Sequence, residues 1–277
     1  MELKITAIWS CTGLDTAELS FNLAKAEAEK GKTLAVELPC LGIPRLGFAA
    51  DVVDHERSVE AVILKTEQKL PLQWDMIHPV SKELGVLSAS VFSNPDSPVV
   101  SKVDLSTLVA FVQRVKEFAQ SEKCRHLIFD CQGQITHPMT FFAVKYADCV
   151  VIPIGKTTDA AYILANVRRL VGTFHYPLEK FVLLAEGDPE AIRRIAAIKG
   201  EEGKPIENIK ILSCGQTLFG RSSGKLEAIR PSKQEIPANP GGRRSFWSLN
   251  RGRQSSSSET TDRDSLPIEA MASCYPL

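Results

Sequence analysis

Between Leu3 and Ser213, short uninterrupted apolar runs alternate with longer amphipathic stretches, and this alternation constrains the fold more than any other feature of the chain. Leu3 to Trp9, Thr33 to Leu38, Leu84 to Ser88, His126 to Cys131, Cys149 to Ile154, Lys180 to Ala185 and Ile209 to Ser213 have the length and aliphatic or β-branched content of buried strands. The stretches between them have helical spacing. Thr16 to Lys30 places Leu19, Leu23 and Ala26 on one face and stops at Gly31, a helix-ending residue. Asp104 to Gln120 is the clearest case, with Leu105, Leu108, Val109, Val112, Val115 and Phe118 in register. Further helices are expected over Ser58 to Gln68, Thr140 to Tyr146, Asp159 to Thr173 and Pro189 to Lys199. Strands that are apolar throughout must be covered on both faces, so the pattern predicts an α/β domain with a mostly parallel sheet and helices on both faces.

After Ser232 the character changes to Pro, Gly, Ser and charge, including the serine run Ser255 to Ser258. This divides the chain into a domain over residues 1–231 and a disordered tail over 232–277. Thirty-three basic residues balance thirty-three acidic ones, which argues against non-specific nucleic-acid binding by the molecule as a whole. The seven cysteines (Cys11, Cys40, Cys124, Cys131, Cys149, Cys214, Cys274) are scattered without a C-x-x-C pair, the pattern of buried thiols in a reducing compartment. No apolar run approaches membrane-spanning length, and Met1 to Thr6 enters a strand without a leader pattern; a cytoplasmic protein is expected.

In an open parallel sheet ligands sit beyond the carboxyl ends of the strands, which directs attention to the loops after Trp9, Leu38 and Asp130. The first, Cys11-Thr12-Gly13-Leu14-Asp15-Thr16-Ala17, joins a strand to a helix as a phosphate-binding loop does. Together with Phe21-Asn22-Leu23-Ala24, Glu29 to Val36, Leu84 to Ser90, His126 to Gly133 and Ala147 to Pro153, it resembles the MinD/ParA family of P-loop ATPases, in particular its TadZ/CpaE-like pilus-localisation branch. The resemblance spans about residues 3–213 and implies a P-loop NTPase-like fold, ATP as ligand, and a protein partner or a homodimer.

The departures from that family matter as much as the matches. Aligned on Asn22-Leu23-Ala24, Cys11 stands where the resemblance implies a lysine that crosses a dimer, Thr16 where it implies the phosphate lysine, and Ala17 where it implies a magnesium-binding hydroxyl. Asp15 replaces a glycine and brings negative charge towards a polyanion. After the second strand, Glu37-Leu38-Pro39 lacks the aspartate that would position water, which leaves Asp130 as the surviving strand-end carboxylate. The candidate nucleotide site is therefore Thr12, Gly13, Leu14, Asp15, Thr16, Ala17 and Asp130, without catalytic or metal-ligating residues, holding either no cofactor or ATP weakly.

Other features carry less. Gly220 to Lys225 imitates a phosphate loop but is one residue short, and the five histidines have no metal-ligand spacing. Trp9, at the mouth of its strand, could stack on a base or cap a sheet edge, and the second is the commoner role of a lone aromatic. In the tail, Arg243, Arg244, Phe246, Trp247, Arg251 and Arg253 combine charge and aromatic rings in a patch suited to peripheral membrane contact, an acidic partner or nucleic acid. The expectation is a degenerate MinD/ParA-like positioning or scaffold subunit of a pilus-like or envelope-associated assembly. The alternatives are an ATPase with a deviant loop and a nucleic-acid-binding partition factor.

Overall fold

The computed structural model describes residues 2–38, 44–52, 54, 56–90, 103–185, 189–197, 206 and 208–213. The expected domain boundary at 232, the basic-aromatic patch, Gly220 to Lys225, Pro39, Cys40, Cys214 and Cys274 lie outside these residues.

The elements run in the order β1 (Lys4–Ser10), α1 (Ala17–Ala28), β2 (Thr33–Leu38), α2 (Arg45–Ala49), α3 (Val59–Glu67), β3 (His78–Pro79), β4 (Leu84–Leu87), α4 (Leu105–Ser121), β5 (His126–Gln132), α5 (Pro138–Tyr146), β6 (Cys149–Ile154), α6 (Ala160–Thr173), β7 (Phe181–Ala185), α7 (Pro189–Ala197) and β8 (Lys210–Ser213). The strands form one sheet in the order β3-β4-β2-β5-β1-β6-β7-β8. All pairings are parallel except β3 with β4. The mostly parallel α/β architecture expected from the alternation is the observed one.

Because side chains alternate across a strand, each strand divides its residues between two faces. Ile5, Ala7 and Trp9 of β1 join Leu127, Phe129 and Cys131 of β5 in the larger core, beneath α3, α4, α5, α6 and α7. Ile8, Ala35, Ile128, Val151 and Leu184 form the opposite, smaller core under α1 and α2, with Leu19, Leu23 and Leu46 facing them. Helices therefore cover both faces. Trp9 differs from expectation: β1 is central, so Trp9 caps no edge, and it is wholly buried with its indole Nε1 donating to the Gly133 carbonyl at 2.9 Å. The four described cysteines are free thiols; Cys124, Cys131 and Cys149 are buried and Cys11 is half-buried.

The face under α1 is not uniformly apolar. Thr6 and His126 lie at its amino end, where their side chains meet at 2.8 Å and the His126 ring sits 3.2 Å from the Glu27 carboxylate, which also takes a 2.9 Å bond from Lys30. At the carboxyl end the same face carries Ser10, Glu37 and Asp130, all buried. Two polar clusters thus bracket an apolar stripe along one helix.

Candidate functional site

The loop after β1 leaves the middle of the sheet. β1 pairs with β5 on one side and β6 on the other, so strand order departs in both directions from this point, where open parallel sheets place their ligands. Gly13 has φ +78°, a left-handed conformation that suits a residue without Cβ, and nothing stands within 4 Å of where a Cβ would be. Thr12 and Leu14 flank it half-buried, and the Thr12 hydroxyl has no hydrogen-bond partner among the described residues. Burial pushes the Cys11 thiol up to about 12, with a smaller push from the negative charge of Asp159, so Cys11 stays a neutral thiol.

From Asp15 onward the loop turns to its own side chains. The Asp15 carboxylate accepts a hydrogen bond from the Ala17 backbone N–H at 3.1 Å, at the first residue of α1. Helix amino termini attract anions because their N–H groups lack partners within the helix and point outward with the positive end of the helix dipole. Here a residue of the chain itself supplies that anion. Arg45 of α2 approaches the same carboxylate at 3.9 Å, so Asp15 stands between a helix amino terminus and a guanidinium.

Thr16 is fully buried and faces away from the loop. Its hydroxyl donates to Asp130 Oδ1 at 2.5 Å, and the Ser20 hydroxyl, one helical turn on, donates to the same oxygen at 2.9 Å. Ala17 is buried and begins α1. Asp130 is fully enclosed and lies in register with Ile8 of β1 and Glu37 of β2.

Glu37 is a site residue that its sequence context conceals. It is buried beside Asp130, and its carboxyl oxygens accept backbone N–H bonds from Ala89 at 3.0 Å and Leu46 at 3.3 Å. Burial, reinforced by the negative charge of Asp130, raises its pKa to about 8 against the lowering effect of those backbone bonds. At neutral pH one carboxyl of this adjacent pair is therefore mostly protonated. Nearby, the Ser10 and Ser88 hydroxyls are buried without a hydrogen-bond partner among the described residues. A buried Glu in an otherwise aliphatic strand, Thr33-Leu34-Ala35-Val36-Glu37-Leu38, was the available signal.

The structure thus brings Asp15, Thr16, Ala17 and Asp130 together at the carboxyl end of the central strands, with Thr12, Gly13 and Leu14 forming the turn above. This donor set does not fit a magnesium-bound nucleotide. Asp15 covers the Ala17 N–H, the Thr16 and Ser20 hydroxyls both donate to Asp130, and Arg45 lies beside Asp15, which leaves the Thr12 hydroxyl as the loop's unpartnered hydroxyl among the described residues. Among the described residues no group of three or more His, Cys, Asp or Glu side chains is arranged to hold a metal ion.

Solved structures with the same arrangement of elements carry a recognisable label. A ParA family ATPase from Chlorobium tepidum superposes with a TM-score of 0.56 at 11% identity, covering 76% of this chain and 83% of its own. The chain has the ParA/MinD fold. Apo McdA from Cyanothece matches with a TM-score of 0.54 at 14% identity over 78% of this chain and 87% of its own. MinD from Pyrococcus horikoshii, solved with Mg-ADP, matches with a TM-score of 0.50 at 19% identity over 70% of this chain and 77% of its own. No protein-family model matches the sequence, and no curated protein matches it significantly. At these identities the comparison speaks for the fold alone. No helix among the described residues is long and apolar enough to cross a membrane.

Proposed function

We propose that this chain is a degenerate ParA/MinD-like protein that serves as a non-catalytic positioning or scaffold subunit, with a protein partner, in a pilus-like or envelope-associated assembly. The observation that carries the reading is the Asp15 carboxylate on the Ala17 N–H, because it places the chain's own negative charge where a phosphate would have to sit. Thr16 and Ser20 add to it by turning their hydroxyls to Asp130. Partner binding draws support from a fold-mate: a MinD from Aquifex aeolicus was solved as a complex with MinC, at a TM-score of 0.50 and 16% identity. A cytoplasmic location and peripheral membrane contact through Arg243, Arg244, Phe246, Trp247, Arg251 and Arg253 belong to the same proposal.

A second reading has one observation in its favour. The Thr16 hydroxyl and the Asp130 carboxylate are adjacent at the strand end, and if they parted they would offer a hydroxyl and a carboxylate to a hydrated magnesium ion. An ATPase assay on the full chain separates the two. The scaffold reading expects no magnesium-dependent turnover above that of Asp130→Asn, which keeps an oxygen for both hydroxyl donors and so preserves the fold. Turnover that Asp130→Asn abolishes establishes the ATPase reading instead.

A further inference from the structure

An open cavity of about 210 Å³ lies between the amino end of α4, the turn after β5, and helices α5 and α6, apart from the loop that follows β1. Ile135, Phe141, Phe142 and Leu170 line it with carbon, and the lining includes three polar side chains, Thr136, Asn166 and Arg169. Phe141 is in edge-on contact with Phe142 and with Phe174, at centroid separations of 5.5 and 5.3 Å, so the aromatic wall is held by ring packing. Around the cavity Leu105 and Phe174 remain 64% and 42% exposed, which leaves large apolar side chains in water where α4 begins and α6 ends. The two neighbouring arginines of α6 differ. Arg168 donates to the Ile195 and Ala196 carbonyls and ties α6 to α7, whereas Arg169 is exposed and has no hydrogen bond or ion pair among the described residues.

We propose that this cavity is an anchor pocket for a partner protein, receiving one aromatic side chain that is flanked in the partner's sequence by acidic residues. Size selects the occupant. An apolar cavity of about 150 Å³ takes a benzene ring, and pockets for drug-sized ligands start near 300 Å³, so this one suits a single phenyl or indole group and is too small for a nucleotide. Charge selects its neighbours, since a guanidinium beside a carbon-lined pocket favours a carboxylate and opposes a cation. The wall is held by packing within the protein: Phe141 lies against Phe142 and Phe174, and Ile135 is buried. Buried aromatic anchors in preformed pockets dominate many protein interfaces. None of the residues lining the pocket belongs to the loop after β1.

Titration of the isotopically labelled full chain with short blocked peptides, followed by NMR, tests this. The probes are acetyl-Glu-Trp-Glu-amide, its lysine counterpart acetyl-Lys-Trp-Lys-amide, and indole-3-acetate. The acidic peptide is expected to shift the methyl signals of Ile135 and Leu170 and to bind about tenfold tighter than the lysine peptide, with Arg169→Glu reversing that order. Thr136→Trp, which fills the pocket from an exposed position, is expected to abolish binding. Equal affinity for the two peptides, binding that survives Thr136→Trp, or no shift with any probe overturns the proposal. Binding of indole-3-acetate without the acidic peptide overturns it too, because the pocket then serves a small acid. Should Thr136→Trp fail to fold, the surface substitution Arg169→Glu decides alone. None of these outcomes depends on ATP turnover.

Discussion

Replacing Asp15 by asparagine isolates the charge that the loop holds against its own helix. The side-chain amide keeps an oxygen for the Ala17 N–H, so the turn survives, while the negative charge and the 3.9 Å contact with Arg45 are lost. That ion pair joins side chains that are 58% and 30% exposed, which puts its contribution at about 0–1 kcal/mol. A shift of that size moves the melting temperature of a domain this large by no more than roughly 2–4 °C. The effect on anion binding is larger. A phosphate at the amino end of α1 would lie within about 4 Å of the carboxylate, where two like charges repel by roughly 1 kcal/mol in bulk water and 4 kcal/mol near a protein surface. Removing the charge and releasing Arg45 should therefore raise affinity for pyrophosphate or Mg-ATP between about fivefold and several hundredfold, and more at low salt than at high. Calorimetric titrations of parent and variant at two ionic strengths measure this directly. A variant that keeps its melting temperature but gains no anion affinity would show that phosphate does not compete with Asp15, and the basis of the scaffold reading would be lost.

Glu37 predicts a pH dependence. Its folded pKa, near 8, lies above the ordinary 4.5, so the folded state holds a proton that the unfolded state has released between those values. Its contribution to stability is complete below pH 4.5 and is lost as pH rises towards 8, by about 1.4 kcal/mol per unit. The difference in urea-unfolding free energy between parent and Glu37→Gln should slope accordingly across this window, and parallel pH profiles would refute the assignment. Deleting residues 232–277 should leave the melting temperature within about 2 °C, since among the described residues an eight-stranded sheet and a core on each of its faces are already assembled by Ser213; aggregation or a large loss would place tail residues in the fold.

The strands were legible because each is a continuous apolar run: Thr33–Leu38 and Cys149–Ile154 were read to the residue, and the large helices to within two residues at their described ends. Three features were not. α2, with five residues, is too short for a helical period to be read from the sequence. β3 has two residues and exists through its pairing with β4, and no local pattern reveals such a partner. The role of Trp9 depends on strand order, which sequence does not encode locally, so a central position was mistaken for an edge. In the site, the loop and Asp130 could be placed from the sequence, but the direction of each side chain could not. The sequence presented Asp15 as repulsive to a ligand; that it bonds to Ala17 two residues on is an Asx-type local bond that its spacing permitted. Arg45 and Glu37 entered the site through a helix and a β pairing that bring together residues far apart in the chain.

The two polar clusters beneath α1 have a mechanical consequence. Thr16 and Ser20 hold its amino end to Asp130, and Glu27 holds its carboxyl end to His126, with Leu19, Leu23 and Ala24 seated on the sheet between. A helix clamped at both ends cannot slide by a turn without stranding several polar groups in the interior at once. α1 is therefore a fixed strut, spanning some 18 Å, about 1.5 Å for each of its twelve residues, from the carboxyl end of the central strands to their amino end.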